Sequence, residues 1–291
     1  MHTMEVQMTL LETLNNFVSS LELNNNERTN AANAHVQLRD SLAQRLPLHP
    51  QHGALLSGSY SRSTAIRPLH DIDVFCVLSP QAGIHVGLNP EHALSKIEAT
   101  LRAAYPYAPL RRQRRSVNIV YPGTNIAFDV VPALENSPGV FAIPDRGLQS
   151  WLRTNPRMHL ERSVEAQRRS GELLKPLTKV AKHWNNRQVQ SVQVASFHLE
   201  AMGWDILTYK PDNRLQGLTM LFEGYAQRVL RSTPDPAGVG PELDQGLSFG
   251  HRQHLSRNFA VAAQELRQIE ALDRMGRSGE GVAALRALLG F

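Results

Sequence analysis

An α+β fold is predicted for this 291-residue chain by three features of its sequence. Apolar residues recur at helical spacing toward both ends. Short β-branched and apolar runs, separated by turn residues, fill the middle. Three aspartates, Asp71, Asp73 and Asp129, interrupt two of those runs. The length suits one large domain or two small ones. With 42% hydrophobic and 20% charged residues, the composition is that of an ordinary globular protein.

Taken in order, residues 6–46 are predicted to be helical. Leu10, Leu14, Phe17, Val18 and Leu21 recur at three- and four-residue steps. Asn24-Asn25-Asn26 breaks this pattern and caps a second helix running to about Leu46, which Pro47 and Pro50 end. Strands are predicted at 53–60, His70–Leu78, Val117–Tyr121 and Ile126–Pro132. Pro122-Gly123-Thr124-Asn125 suits a hairpin connection between the last two, and residues 91–104 carry a helical pattern. From about Trp151 the chain is predicted to turn helical. Leu173, Leu174, Leu177, Val180, Ala181 and Trp184 form one stripe, with Pro176 either in a first turn or at a kink. Further helices are expected at 197–207, 218–230, 251–271 and 278–289, with a loop at 232–238. The expected domains are N-terminal helices packing on the core (1–48), the core itself (49–150) and a helical lobe (151–291).

No run of 18 or more apolar residues occurs, so no membrane span is expected. Met1-His2-Thr3-Met4-Glu5 lacks the basic and apolar regions of a signal peptide. The single cysteine, Cys76, lies in the apolar run Val74–Leu78 and reads as part of a core strand. A cytoplasmic location is the expectation. The net charge is +5, and residues 101–200 hold 15 Lys and Arg against 7 Asp and Glu, whereas the two balance over 201–291. A concentrated positive field suits a polyanionic ligand; a solvated basic face is the other reading.

Asp71 and Asp73 stand two apart on an apolar strand, so their side chains share one face. Paired carboxylates repel one another unless a cation lies between them. Magnesium, which takes one or two carboxylates together with water and phosphate oxygens, is the natural occupant. Asp129 interrupts a second apolar strand, and a two-metal site accounts for all three acids. The plainer reading is that some of them pair with arginines or cap turns. Gly58-Ser59 follows an apolar strand and precedes a short helical stretch. A glycine there lets phosphate approach the backbone, where amides and the Ser59 hydroxyl can bind it. A simple Gly-Ser turn is the alternative.

The segment from Gly58 to Val74, Gly58-Ser59-Tyr60-Ser61-Arg62-Ser63-Thr64-Ala65-Ile66-Arg67-Pro68-Leu69-His70-Asp71-Ile72-Asp73-Val74, resembles the signature of the cGAS/DncV-like nucleotidyltransferases (CD-NTases). So do Phe128-Asp129-Val130-Val131-Pro132-Ala133, Lys182-His183-Trp184-Asn185 and Ser196-Phe197-His198-Leu199-Glu200. The resemblance spans about residues 50–207. It implies a polymerase-β-like nucleotidyltransferase core related to oligoadenylate synthase, with the helical lobe completing a nucleotide cleft. It further implies a cyclic di- or oligonucleotide second messenger, made from ribonucleoside triphosphates in CBASS anti-phage defence.

Carried over by position, the resemblance makes Asp71, Asp73 and Asp129 ligands of two Mg2+ ions, with Mn2+ as a substitute. Gly58 and Ser59, with Lys182 and Ser196, would hold the donor triphosphate, and Phe197 would stack on a base. Rival readings stay open. Lys175, Lys179 and Lys182 share a helix face and could all be solvated. Phe197 could be core, and His198 a packed helix residue. Arg62 could reach a phosphate or pair with an acid; Arg111, Arg112, Arg114 and Arg115 could guide nucleotides or only decorate a loop. The expected partners are ATP and other nucleoside triphosphates, an effector protein responding to the product, and CBASS accessory proteins, with no obligatory nucleic acid and no membrane. A poly(A)- or CCA-adding type of RNA nucleotidyltransferase and a nucleotide-binding pseudoenzyme on the same fold are the competing functions.

Overall fold

The computed structural model describes residues 8–69, 71–124 and 126–291; His70, Asn125 and the first seven residues lie outside them. The chain begins with α1 (Leu10–Ser20) and α2 (Asn25–Ala43). Each helix is opened by a reciprocal cap, Thr9 with Glu12 and Asn24 with Glu27, which satisfies amides that a helix start otherwise leaves unpaired. The sheet elements follow: β1 (Ala54–Leu56), α3 (Gly58–Ser61), β2 (Asp71–Leu78), α4 (Glu91–Ala104), β3 (Leu110–Arg112), β4 (Val117–Val120), β5 (Ala127–Ser137), β6 (Val140–Asp145) and β7 (Ser150–Thr154). The remainder is helical: α5 (Pro156–Arg169), α6 (Leu174–Asn186), α7 (Ser196–Ile206), α8 (Arg214–Arg228), α9 (Phe249–Arg274) and α10 (Ser278–Leu289).

Two compact units result, and contacts divide the chain differently from the expected segments 1–48, 49–150 and 151–291. The sheet unit comprises residues 23–160 and 235–241; the helical unit takes the rest. The two N-terminal helices therefore part company. The apolar stripe of α1 (Leu10, Leu14, Phe17) joins the helical core, whereas Ala31, Leu38 and Leu42 of α2 join the sheet core. The predicted helix onset at Trp151 is also corrected. Residues 150–154 form β7, paired antiparallel with β6, because Trp151 and Leu152 face Pro144 and Ile143 across the ladder. Pro176 does sit in the first turn of α6, where its missing amide costs nothing.

In the sheet unit the strand order is β1-β2-β5-β4-β3, with β6 on β5 and β7 on β6. Among the described residues, only β2 and β5 run parallel. Strand alternation then sorts the side chains. Ile72, Val74 and Cys76 of β2, with Phe128 and Val130 of β5, pack with Leu38 of α2 and Leu94 and Ile97 of α4. Asp71, Asp73, Phe75 and Val77 take the opposite face, where Phe75 and Val77 meet Val131, Ala133 and Phe141. Cys76 is fully buried, and burial pushes its thiol up to about 12, which leaves it an inert core residue. The helical unit surrounds Trp184, Phe222, Tyr225 and Phe259. No helix among the described residues is long and apolar enough to cross a membrane.

Candidate active site

The parallel pairing of β2 with β5 sets Asp73 directly beside Asp129. Asp71, two residues earlier on β2, lies on the same face, opposite Ala127. The row continues outward: Asn118 of β4 is the partner of Asp129, and Arg111 of β3 is the partner of Asn118. On the other side, the Ser57 amide donates to the Asp73 carbonyl at 2.9 Å, which hangs the Gly58-Ser59 turn on the same strand.

Asn118 was not singled out in the sequence, although it is a polar residue in the apolar run Val117–Val120. It is buried, and its Nδ2 donates to Asp129 Oδ1 at 2.7 Å and to Asp71 Oδ1 at 3.2 Å. One side-chain amide thereby orients two of the three carboxylates. Burial raises the pKa of Asp129; the Asn118 hydrogen bond opposes that rise, the negative Asp71 adds to it, and the Arg111 charge opposes it. Asp71 itself is exposed, whereas Asp73 and Asp129 are half-buried.

Gly58 is required by geometry twice over. Its φ of +65° favours glycine, and a Cβ there would lie 1.7 Å from Asp73 Oδ2. The missing side chain is the space into which the Asp73 carboxylate fits. Ser59 is half-buried next to it, and its carbonyl accepts from the Thr64 amide at 2.8 Å. Arg62 is buried at the end of the same turn, with its amide donating to the Gly58 carbonyl at 3.2 Å.

These residues fit a divalent cation of the magnesium class. They supply oxygen donors from adjacent, in-register strands, with mutual repulsion that a cation relieves. Asp71, Asp73 and Asp129 are the groups that would hold it.

Lys182, Ser196 and Phe197 belong to the helical unit. Lys182 is 3% exposed, and its Nζ lies 2.5 Å from Oε1 of the equally buried Glu200. Lys179 is also buried and pairs with Glu22 at 2.6 Å. The reading of three solvated lysines therefore fails for both, because α6 is packed around most of its circumference. Ser196 is the exposed first residue of α7. Phe197 is partly buried, edge-on to Trp204 with centroids 5.9 Å apart. His198 is a packed helix residue: its Nε2 lies 2.9 Å from Thr233 Oγ1, and burial lowers its pKa to about 4.

Three of the four clustered arginines serve the sheet unit itself. Arg112 pairs with Glu98 and Glu91, and Arg114 and Arg115 both bind the fully buried Asp145. Arg111 alone among them is aligned with the acidic row.

Comparison with known proteins places these features in context. A family model described as the Second Messenger Oligonucleotide or Dinucleotide Synthetase (SMODS) domain matches residues 8–166, more than half of the chain. A cyclic AMP-AMP-AMP synthase of Acinetobacter sp. is 29% identical over 216 residues, covering 71% of this chain and 61% of that protein. The match thus spans less than two thirds of that relative's length. The structure of Escherichia coli CdnC with ATP superposes with a TM-score of 0.77 at 19% identity, covering 97% of this chain and 98% of that one. That of the Bradyrhizobium diazoefficiens CD-NTase CdnG with GTP gives 0.74 at 15% identity, covering 96% and 98%. The two superpositions carry the fold, a CD-NTase arrangement on a polymerase-β-like core. The family match over more than half of its length shows that the chain belongs to the SMODS family of second messenger synthetases, the CD-NTases.

Proposed function

We propose that this chain is a metal-dependent nucleotidyltransferase that joins ribonucleoside triphosphates, ATP among them, into a cyclic oligonucleotide with release of pyrophosphate. The observation that carries this reading is the convergence of Asp71, Asp73 and Asp129 on one sheet face, with Gly58 packed against Asp73 and Asn118 tying Asp71 to Asp129. Mg2+ ions held by the three carboxylates, or Mn2+ in their place, would make the attacking ribose hydroxyl more acidic and offset the charge on the triphosphate.

The chain's own residues supply orientation. Asn118 keeps the two carboxylates from turning away from one another, and Gly58, lacking a side chain, lets the Asp73 carboxylate seat against the adjoining turn. The Ser59 hydroxyl is assigned to a phosphate of the donor. The burial of Arg62 favours a part in holding the turn over direct contact with a ligand. Lys182, Ser196 and Phe197 are assigned to the donor nucleotide on their match to the family motifs. In this reading the Lys182–Glu200 pair fixes the region around Ser196 from within. The 29% identity to a protein named cyclic AMP-AMP-AMP synthase supports adenine nucleotides as substrates. A part in bacterial anti-phage defence, acting in the cytoplasm through an effector protein and with CBASS accessory proteins, follows from the family resemblance.

The experiment is incubation of the purified protein with the four ribonucleotides and Mg2+ or Mn2+, with mass spectrometry of the products. A cyclic adenine-containing product is expected without added DNA or RNA. It should be lost on chelation and reduced at least about 10³-fold in Asp71→Asn and Asp73→Asn, which corresponds to roughly 4 kcal/mol of barrier. Extension of an added RNA with no cyclic product would identify an RNA nucleotidyltransferase instead. Nucleotide binding without pyrophosphate release would identify a pseudoenzyme.

A further inference from the structure

A second group of metal-binding side chains lies on the sheet unit, away from the three aspartates. His49 and His52 stand in the segment between α2 and β1, and Glu135 stands on β5. Their ligand atoms all lie within 4.8 Å of one another. Six residues of strand separate Glu135 from Asp129, roughly 20 Å at the usual rise, so this group is not part of the acidic site.

The arrangement is built by backbone contacts. The His49 amide donates to the Val77 carbonyl at 2.8 Å, the Gly53 amide to the His49 carbonyl at 2.8 Å, and the Val77 amide to the Gly53 carbonyl at 2.9 Å. The two imidazoles stack with centroids 4.7 Å apart. Both direct Nε2 at one carboxylate: His49 lies 3.3 Å from Glu135 Oε2 and His52 lies 3.2 Å from Oε1. Glu135 is oriented in turn by the Gly139 amide, which donates to Oε1 at 3.0 Å.

In a tetrahedral site with bonds of about 2.0–2.1 Å, neighbouring ligand atoms stand roughly 3.3 Å apart. The two Nε2 atoms stand at about that distance from Glu135, His49 from Oε2 and His52 from Oε1, so presenting one oxygen to both rings takes a turn of the carboxylate. Two imidazoles and a carboxylate select a transition ion of the zinc class over magnesium, whose ligands are oxygens. The side chains are 20–26% exposed, which leaves a path for an ion.

We propose that His49, His52 and Glu135 form a binding site for a divalent transition ion such as Zn2+, which staples the α2–β1 segment to the β5–β6 hairpin. Three protein ligands leave a fourth position for water. Loading exchanges the His52 hydrogen bond and the His49 ion-pair contact on Glu135 for coordinate bonds. It also places the proton of each imidazole on Nδ1, which at His49 ends a long 3.3 Å contact from the Gln51 amide.

The test uses the full chain carrying Asp71→Asn and Asp73→Asn, so that the acidic site does not contribute, titrated with Co2+ in excess Mg2+. One equivalent should bind with the visible ligand-field absorption of four-coordinate Co2+, should be displaced by Zn2+, and should raise the thermal midpoint. Adding His52→Gln, His49→Gln or Glu135→Gln, each confirmed folded by circular dichroism, should weaken binding by more than about 100-fold, since even an outer partner of a metal ligand is worth 10–100-fold. Absence of stoichiometric binding, or binding that survives these substitutions, overturns the proposal. The result is independent of nucleotide turnover, so its failure is separable from failure of the proposed reaction.

Discussion

Gly58 and Asp73 occupy one space: the Asp73 Oδ2 atom lies 1.7 Å from where a Gly58 Cβ would be. The turn and the acidic strand are therefore a single geometric device. Gly58→Ala should cost about 1–2 kcal/mol for left-handed backbone in a residue with a Cβ. It should cost far more in activity, at least about 100-fold, because displacing a positioned group by about 1 Å has that effect. Pyrophosphate release measured beside thermal unfolding checks both. Wild-type turnover in this variant would separate Asp73 from the reaction.

Asn118→Ala removes the amide shared by Asp71 and Asp129 without touching a carboxylate. The expected result is a 10–100-fold loss in Mg2+ affinity or activity, the usual effect of losing a partner that orients a metal ligand. The loss should be partly recovered at high Mg2+ or Mn2+, which a collapsed fold would not show. A metal-titration series of initial rates measures it.

Lys182 and Glu200 form an ion pair with both side chains almost fully buried. Replacing Lys182 or Glu200 alone by a nonpolar residue should destabilise the chain by about 3–5 kcal/mol, because one charge is left buried without its opposite. The double variant Lys182→Met/Glu200→Leu should lose much less than the sum of the two. Denaturant unfolding in a double-mutant cycle reads the coupling. A consequence for enzymology is that loss of activity in Lys182→Ala alone does not report phosphate binding; comparison with the double variant does.

His198 gives the helical unit a defined acid sensitivity. Burial lowers its pKa from about 6.5 to about 4; Asp244 partly offsets this, and the Arg252 and Arg228 charges reinforce it. Between those values the unfolded chain takes up a proton that the folded chain refuses. Stability is therefore full above about pH 6.5 and falls as pH drops toward 4, by up to about 3 kcal/mol from this group. His35 and His183 are shifted in the same direction, so the comparison of wild type with His198→Gln isolates the contribution. The variant should show a shallower fall in unfolding midpoint over this interval.

The α+β class, the order of most elements and the shared face of Asp71 and Asp73 were legible in the sequence. Apolar periodicity, proline position and strand alternation are local properties that act within a few residues of chain. The Gly58-Ser59 turn was legible for the same reason. The strands β6 and β7 were not, because short runs containing Pro144 and Arg153 carry little alternation of their own and are held by pairing to one another.

The chain alone determined which residues bear charge; only the tertiary structure decided what each charge does. Asp129 becomes a neighbour of Asp73 through parallel register between strands 56 positions apart, and Asn118 reaches two acids through a further strand. The same basic segment that read as a field for polyanions sends Arg112 to Glu91 and Glu98, and Arg114 and Arg115 to Asp145, leaving Arg111 beside the acidic row. Lys182, which the family resemblance assigned to the donor triphosphate and whose rival reading was a solvated charge, is buried on Glu200. His49, His52 and Glu135 meet across more than eighty residues of chain. Spacing along a strand or helix tells which side chains share a face. Burial and partnership are set by what packs against that face, and those contacts come from residues distant in sequence.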